Sequence, residues 1–187
     1  MRLLCLSLLF LGLSRGAPAR AELVEPTNFY THPVAVYAQL GLGTPPGLGG
    51  LEIEPTVLQH FVLSSGIGLD PSGLQVAFMP RLRLPVSRRE ALTFGLGGSI
   101  GEYRLTGDPC GADCTPAVHQ GTAVWANLEA AAETRLSAGF SLRLFVGAGR
   151  TVLSELRCVQ PGTIIGCSPA DSPIDRVFAG GAVGWAF

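Results

Sequence analysis

The 187-residue chain contains no lysine: all 13 basic residues are arginine, and with 14 acids they give a net charge of −1. Nucleic-acid binding needs a basic patch, and this balance excludes one. Charged residues of both signs make up only 14% of the sequence, against about a quarter in an average soluble domain. No run reaches the ~18 apolar residues that a membrane-spanning helix needs. What is present is hydrophobicity without such runs: 47% of residues are apolar, and mean hydropathy is +0.37. The 25 glycines and 14 prolines are spread along the chain and argue against a helical bundle. An apolar, glycine-rich chain without helical spans implies an all-β protein in lipid.

Met1-Arg2 followed by the apolar run Leu3 to Leu13 has the form of a signal peptide, with Ala19-Arg20-Ala21 as the cleavage site. The run is too short for a retained membrane helix, and Cys5 lies too near the start to be a lipoprotein anchor. Residues 1–21 are therefore expected to be removed, 22–32 to form a short N-terminal periplasmic segment, and 33–187 to form the folded domain. Cleavage takes away Arg2, Arg15 and Arg20, leaving ten arginines against fourteen acids, a net charge of −4. Cysteine use agrees with export. Beyond Cys5 the chain has Cys110 and Cys114, then Cys158 and Cys167, both pairs in Pro/Gly-rich polar segments suited to disulfides in an oxidising compartment. Four cysteines allow three connectivities; local pairing is favoured because each pair shares a loop. The spacing is not that of a standard zinc site, and no metal or cofactor is expected.

The mature chain divides into eight segments of period-2 alternation separated by turn signals. In the first, Val34, Val36, Ala38, Leu40 and Leu42 oppose Tyr37 and Gln39. In the second, Leu51, Ile53 and Val57 alternate with Glu52, Glu54 and Thr56. After a tight break at Gln59-His60 comes the segment of Phe61, Leu63, Ser65 and Ile67. Asp70-Pro71-Ser72-Gly73 has the residues of a type I turn. The fourth segment sets Leu74, Val76, Phe78, Leu82 and Leu84 against Gln75, Ala77, Arg81 and Arg83. The fifth opposes Leu92, Phe94, Leu96 and Ile100 to small residues. The sixth alternates Val124, Ala126, Leu128, Ala130 and Ala132 with Asn127, Glu129, Glu133 and Arg135, and its register favours strand over helix despite the alanines. The seventh runs from Phe140 to Ala148, with Arg143 on the polar side, and the eighth from Arg176 to Phe187.

Alternation alone does not separate a soluble sandwich from a membrane barrel, in which the apolar face turns outward. Three features favour the barrel. Breaks near 59–60, 85–90 and 136–138 are short, whereas 106–118 and 154–174 are long, the asymmetry of periplasmic turns and outer loops. An even strand count puts both termini at one end, where Phe61, Phe140, Trp185 and Phe187 would form an aromatic girdle. Ten residues at ~3.3 Å, tilted about 45°, rise roughly 23 Å, close to the apolar band of such barrels.

With these features the chain resembles the small eight-stranded outer-membrane proteins of the OmpA/OmpX/OmpW-like barrel superfamily over about 33–187. The most specific element is the C-terminal strand ending Val183-Gly184-Trp185-Ala186-Phe187. The resemblance implies an antiparallel up-and-down transmembrane β-barrel in the outer membrane, facing lipid and lipopolysaccharide. It also implies that Trp185 and Phe187 carry a signal read by the barrel-assembly machinery. It transfers little about activity.

The inward charges Glu52, Glu54, Arg81, Arg83, Glu129, Glu133 and Arg143 are the leading constellation. An eight-stranded barrel is just wide enough for side chains to fill it, so these groups are expected to neutralise one another as a plug. Inward glycines would leave room for trapped water. A narrow channel for ions or small solutes is the alternative. A lipid-modifying enzyme would need a nucleophile, a histidine and an acid in reach of one another. Only His32, His60 and His119 exist, none on a strand with a serine two residues away, so no enzyme is expected. Gly41-x-Gly43, Gly95-x-Gly97 and Gly147-x-Gly149 lie within alternating segments with no following helix and suit small lumen residues better than phosphate loops. A soluble lipocalin-like barrel would need an early Gly-x-Trp and a closing helix, both missing. The expected role is structural or surface-interacting, as a monomer.

Overall fold

The computed structural model describes residues 28–106, 118–136, 138–160, 163–167 and 175–187. A single turn of helix, α1 (Asn28–Thr31), precedes strands β1 (Val34–Leu42), β2 (Gly49–Leu58), β3 (Phe61–Asp70), β4 (Gly73–Pro85), β5 (Glu90–Thr106), β6 (Val118–Arg135), β7 (Phe140–Gln160), β8 (Thr163–Cys167) and β9 (Arg176–Ala186). Each strand from β1 to β7 pairs antiparallel with the next, β7 pairs with β9, and β9 pairs with β1. The result is a closed up-and-down barrel of eight strands, β1–β7 and β9. Closure runs from Ala35↔Ala186 to Leu42↔Ala179 and gives each wall strand a partner on both sides. The Ala-rich sixth segment is a strand as its alternation implied, paired from Thr134 opposite Glu90 to Val118 opposite Thr106.

The two ends differ. At the end that holds the chain termini, strands are joined by Gln59-His60, by residues 86–89 and by residues 136–139. Gly139 takes a positive φ of 88° there, a conformation that glycine adopts without strain. At the opposite end, Asp70 Oδ1 accepts from the backbone N–H of Ser72 at 2.6 Å and of Gly73 at 3.2 Å, which tightens the turn expected at 70–73. Strands β5, β6 and β7 are the longest, and they extend past their neighbours at this end.

One expected loop is partly strand. Within 154–174, β7 continues to Gln160 and folds back as β8, with Cys158 opposite Ile165 and Leu156 opposite Cys167. The β-branched run Thr163-Ile164-Ile165 suits a pleated strand despite its polar surroundings. Residues 1–21 and the segment with Cys110 and Cys114 lie outside the described residues.

Burial alternates along the wall: in β4 it follows every second residue from Gln75 to Arg83, with Phe78, Leu82 and Leu84 exposed. Among the described residues no helix is long and apolar enough to cross a membrane. The interior is filled rather than hollow. A Cβ on Gly184 would lie 2.6 Å from Tyr37 Cδ1, one on Gly147 2.2 Å from Phe178 Cζ, one on Gly180 2.6 Å from Phe145 Cζ, and one on Gly95 2.6 Å from Met79 Sδ. These inward glycines therefore make room for large side chains from neighbouring strands, while Gly66 borders a small cavity between Glu52 and Arg81. Close packing gains dispersion contacts that a void forfeits.

Candidate functional site

Alternation turns Glu52 and Glu54 of β2, Arg81 and Arg83 of β4, Glu129 and Glu133 of β6 and Arg143 of β7 inward, and all seven are buried. They converge in the half of the lumen nearer the termini. Arg81 donates from Nη1 to Glu52 Oε1 (2.5 Å) and to Glu54 Oε2 (3.0 Å), and from Nε to Glu129 Oε1 (2.9 Å). Arg143 reaches across from β7 to Glu54 Oε2 (2.9 Å) and Glu52 Oε2 (2.6 Å). Arg83 pairs with Glu54, donates to Glu133 Oε2 at 3.1 Å, and gives a further hydrogen bond to Thr56.

Two members were absent from the candidate network. Arg135 is buried beside Glu133, donating from Nε to Glu133 Oε1 at 2.8 Å, while its Nη2 lies 3.7 Å from Glu54 Oε1. Tyr37 of β1 donates its hydroxyl to the same Glu133 oxygen at 2.7 Å. Both were visible in the pattern, since Arg135 is in phase with Glu133 and Tyr37 lies on the polar face of β1. With Arg135 the network holds four carboxylates and four guanidinium groups. It is neutral as a unit, and each charge has a close partner of opposite sign. Such geometry is what a desolvated ion cluster requires.

The network has an aromatic lining. The Arg143 guanidinium lies 4.6 Å from the Tyr37 ring centroid and 5.8 Å from that of Phe145. Beneath it, α1 inserts Phe29, whose ring lies 5.1 Å from Arg83 Cζ and 4.8 Å from Arg135 Cζ. Arg135 also donates to the carbonyl of His32 at 2.9 Å. From residue 28 onward the segment that precedes β1 is thus folded into the mouth of the barrel, with Phe29 fully buried. Cation–π attraction and apolar burial both favour that position.

Towards the other end the interior carries another arginine among neutral polar and aromatic side chains. Arg176 stacks on Trp125 at 4.2 Å and donates to Ser99 Oγ (2.8 Å) and Gln75 Oε1 (3.3 Å), and Asn127 donates to Ser99 at 2.9 Å. Between the two zones, a cavity of about 10 Å³ is lined by Gln39, Ser64, Glu52, Arg81 and Glu129, among others. It has room for about one water molecule.

The remaining candidates lie apart from the network. Trp185 and Phe187 are exposed on the outer wall, where Trp185 meets Phe140 edge-on at 6.4 Å. His60 Nδ1 lies 3.2 Å from the carbonyl of Arg83, and the ring of His32 lies 2.9 Å from the Thr31 hydroxyl. His119 is near the start of β6, with its backbone opposite Cys158. Gly95, Gly97, Gly147 and Gly149 are all within strands, without phosphate-loop geometry. Among the described residues no group of three or more His, Cys, Asp or Glu is placed to hold a metal ion.

The fold and this interior define a class: a small, closed, eight-stranded up-and-down barrel with an apolar outer wall and a neutral, charged core. Comparison of the chain with protein-family models, curated proteins and solved structures finds no match.

Proposed function

We propose that the protein is an integral outer-membrane β-barrel with a structural or surface-interaction role, its lumen closed by side chains and its activity non-catalytic. One observation carries this reading: the polarity of the barrel is inverted. Among the described residues thirty-two large apolar side chains are exposed, from Val36 on β1 to Phe187, while eight charged groups are buried in the core. A monomer in water rarely exposes contiguous apolar patches beyond a few hundred Å², whereas an outward apolar band is what lipid requires. A soluble ligand-binding barrel would carry the opposite arrangement. The short turns beside the termini face the periplasm in this reading, and the extended ends of β5–β7 face outward. Residues 1–21 serve as the export signal, Trp185 and Phe187 as the assembly signal, and lipopolysaccharide and lipid as the surrounding partners.

The plug follows from the same geometry. Opposed charges span the lumen and pair across it, leaving a void the size of about one water beside Glu52 and Arg81. The chain is expected to stay with the membrane pellet through aqueous and alkaline washes and to enter solution only with detergent. Recovery in the aqueous wash would overturn the membrane reading. In a planar bilayer the unmodified protein is expected to pass no steady current. Stable single-channel conductance would replace the plug with a narrow channel.

A further inference from the structure

We propose that the outer wall between β5 and β9 is a binding site for a membrane lipid with a phosphorylated headgroup, Arg150 taking the phosphate and an alanine-floored groove the acyl chain. The inference rests on the membrane reading above.

The register places Leu96, Leu128, Ala148 and Val177 in one row across four strands, with Ala126 and Arg150 paired in the row beyond. All six point outward. Small Ala126 and Ala148 sit between the larger Leu128, Leu96 and Val177, and the wall hollows there into a groove of about 420 Å³. Its surface is almost wholly apolar, apart from one end. At that end, away from the chain termini, is Arg150.

Arg150 is exposed, in phase with Val146 and Ala148 below it, and followed by exposed Val152 and Leu153. Among the described residues it is the one cation of this groove's outward row, on a stretch of wall otherwise built for hydrocarbon. Among the described residues none forms an ion pair with it: Asp175 lines the same groove yet lies beyond 4.0 Å from the Arg150 guanidinium. An arginine facing lipid is costly near the midplane and becomes tolerable close to the interface. A phosphate there would meet the planar guanidinium in a bidentate contact. The hollow beneath fits a chain attached to that phosphate, which a free anion does not have. A second copy of the protein would have to oppose Arg150 with Arg150 in a two-fold contact, so charge favours the lipid.

The test is native mass spectrometry of the signal-cleaved full chain, released from mixed micelles holding equal amounts of dioleoyl phosphatidate and dioleoyl phosphatidylcholine. A one-to-one adduct favouring phosphatidate is expected. Arg150→Gln should lower that preference about fivefold, one cation's share at a membrane surface, while leaving some lipid bound. Ala148→Phe, which fills the groove from the outer wall without touching the core, should remove the adduct. An unchanged preference in Arg150→Gln overturns the proposal. So does equal binding of inorganic phosphate in its place, or a dimer that Ala148→Phe dissolves. If the chain does not enter micelles or bilayers at all, the membrane reading fails with it; entry without lipid preference defeats the site alone.

Discussion

Replacing Arg81 by methionine keeps most of the side-chain stem and removes one charge from the neutral network. Glu52, Glu54 and Glu129, at 2.5, 3.0 and 2.9 Å from it, each lose a partner. Glu52 and Glu54 retain Arg143 at 2.6 and 2.9 Å, but Arg81 supplies the one ion pair found for Glu129 among the described residues. A buried carboxylate left without its cation costs about 3–5 kcal/mol. Arg81→Met should therefore lower the unfolding free energy by that amount, measured by urea titration of the barrel in lipid vesicles with tryptophan fluorescence as the signal. The decisive variant is the double one. Arg81→Met with Glu129→Gln restores charge balance at three against three, so it should be more stable than the sum of the two single losses by about 1.5–3 kcal/mol. Arg89→Ala, on an exposed turn, should change stability by less than about 0.5 kcal/mol. A loss below about 1 kcal/mol for Arg81→Met, or additivity in the double variant, would refute a desolvated network. It would imply that the inward set is displaced by one residue, because a one-residue slip exchanges the faces of a strand.

Phe29→Ala removes a fully buried ring and should cost about 3–5 kcal/mol, and it should also speed hydrogen exchange at the barrel mouth around Thr56 and Arg135. Tyr37→Phe leaves packing intact but deletes the hydrogen bond to Glu133, for an expected loss of about 1.5–3 kcal/mol in the same urea assay. Gly147→Val should prevent stable closure, since its Cβ would stand 2.3 Å from the Leu128 carbonyl oxygen as well as against Phe178; a normal unfolding midpoint would contradict the packed interior. Mass spectrometry of unreduced peptides should find Cys158 joined to Cys167 and Cys110 to Cys114, and a cross-link between the two pairs would contradict local pairing.

The barrel was legible because its alternation is nearly unbroken: one face of each segment is apolar, and side chains in a strand point to opposite faces. Glu129, Glu133 and Arg135 show how far that takes the site. Period 2 places all three inside, but it does not say which groups meet. Glu54 pairs with Arg83 and Arg143, from strands that are not its neighbours, and such contacts depend on how each strand is staggered when the sheet closes. Phe29 was illegible for another reason. Asn28-Phe29-Tyr30-Thr31 is too short for any periodicity, and only the shape and charge of the mouth beneath Arg83 and Arg135 give its ring a place. The strand Thr163–Cys167 was lost among glycine and proline, which signal turns more strongly than five residues signal a strand.

The pairing of β1 with β9 joins segments from opposite ends of the domain, and the guanidinium of Arg143 meets Glu52 across 91 positions of sequence. Neighbouring hairpins can form early, one after another, but contacts between remote segments must wait for the whole sheet to curl. Eight charges therefore keep their water until the final strand arrives, and the network sets last. Bonds made after the rate-limiting step leave the speed of assembly largely untouched and slow its reversal. The ion cluster should accordingly act on the lifetime of the closed barrel: once shut, it opens rarely.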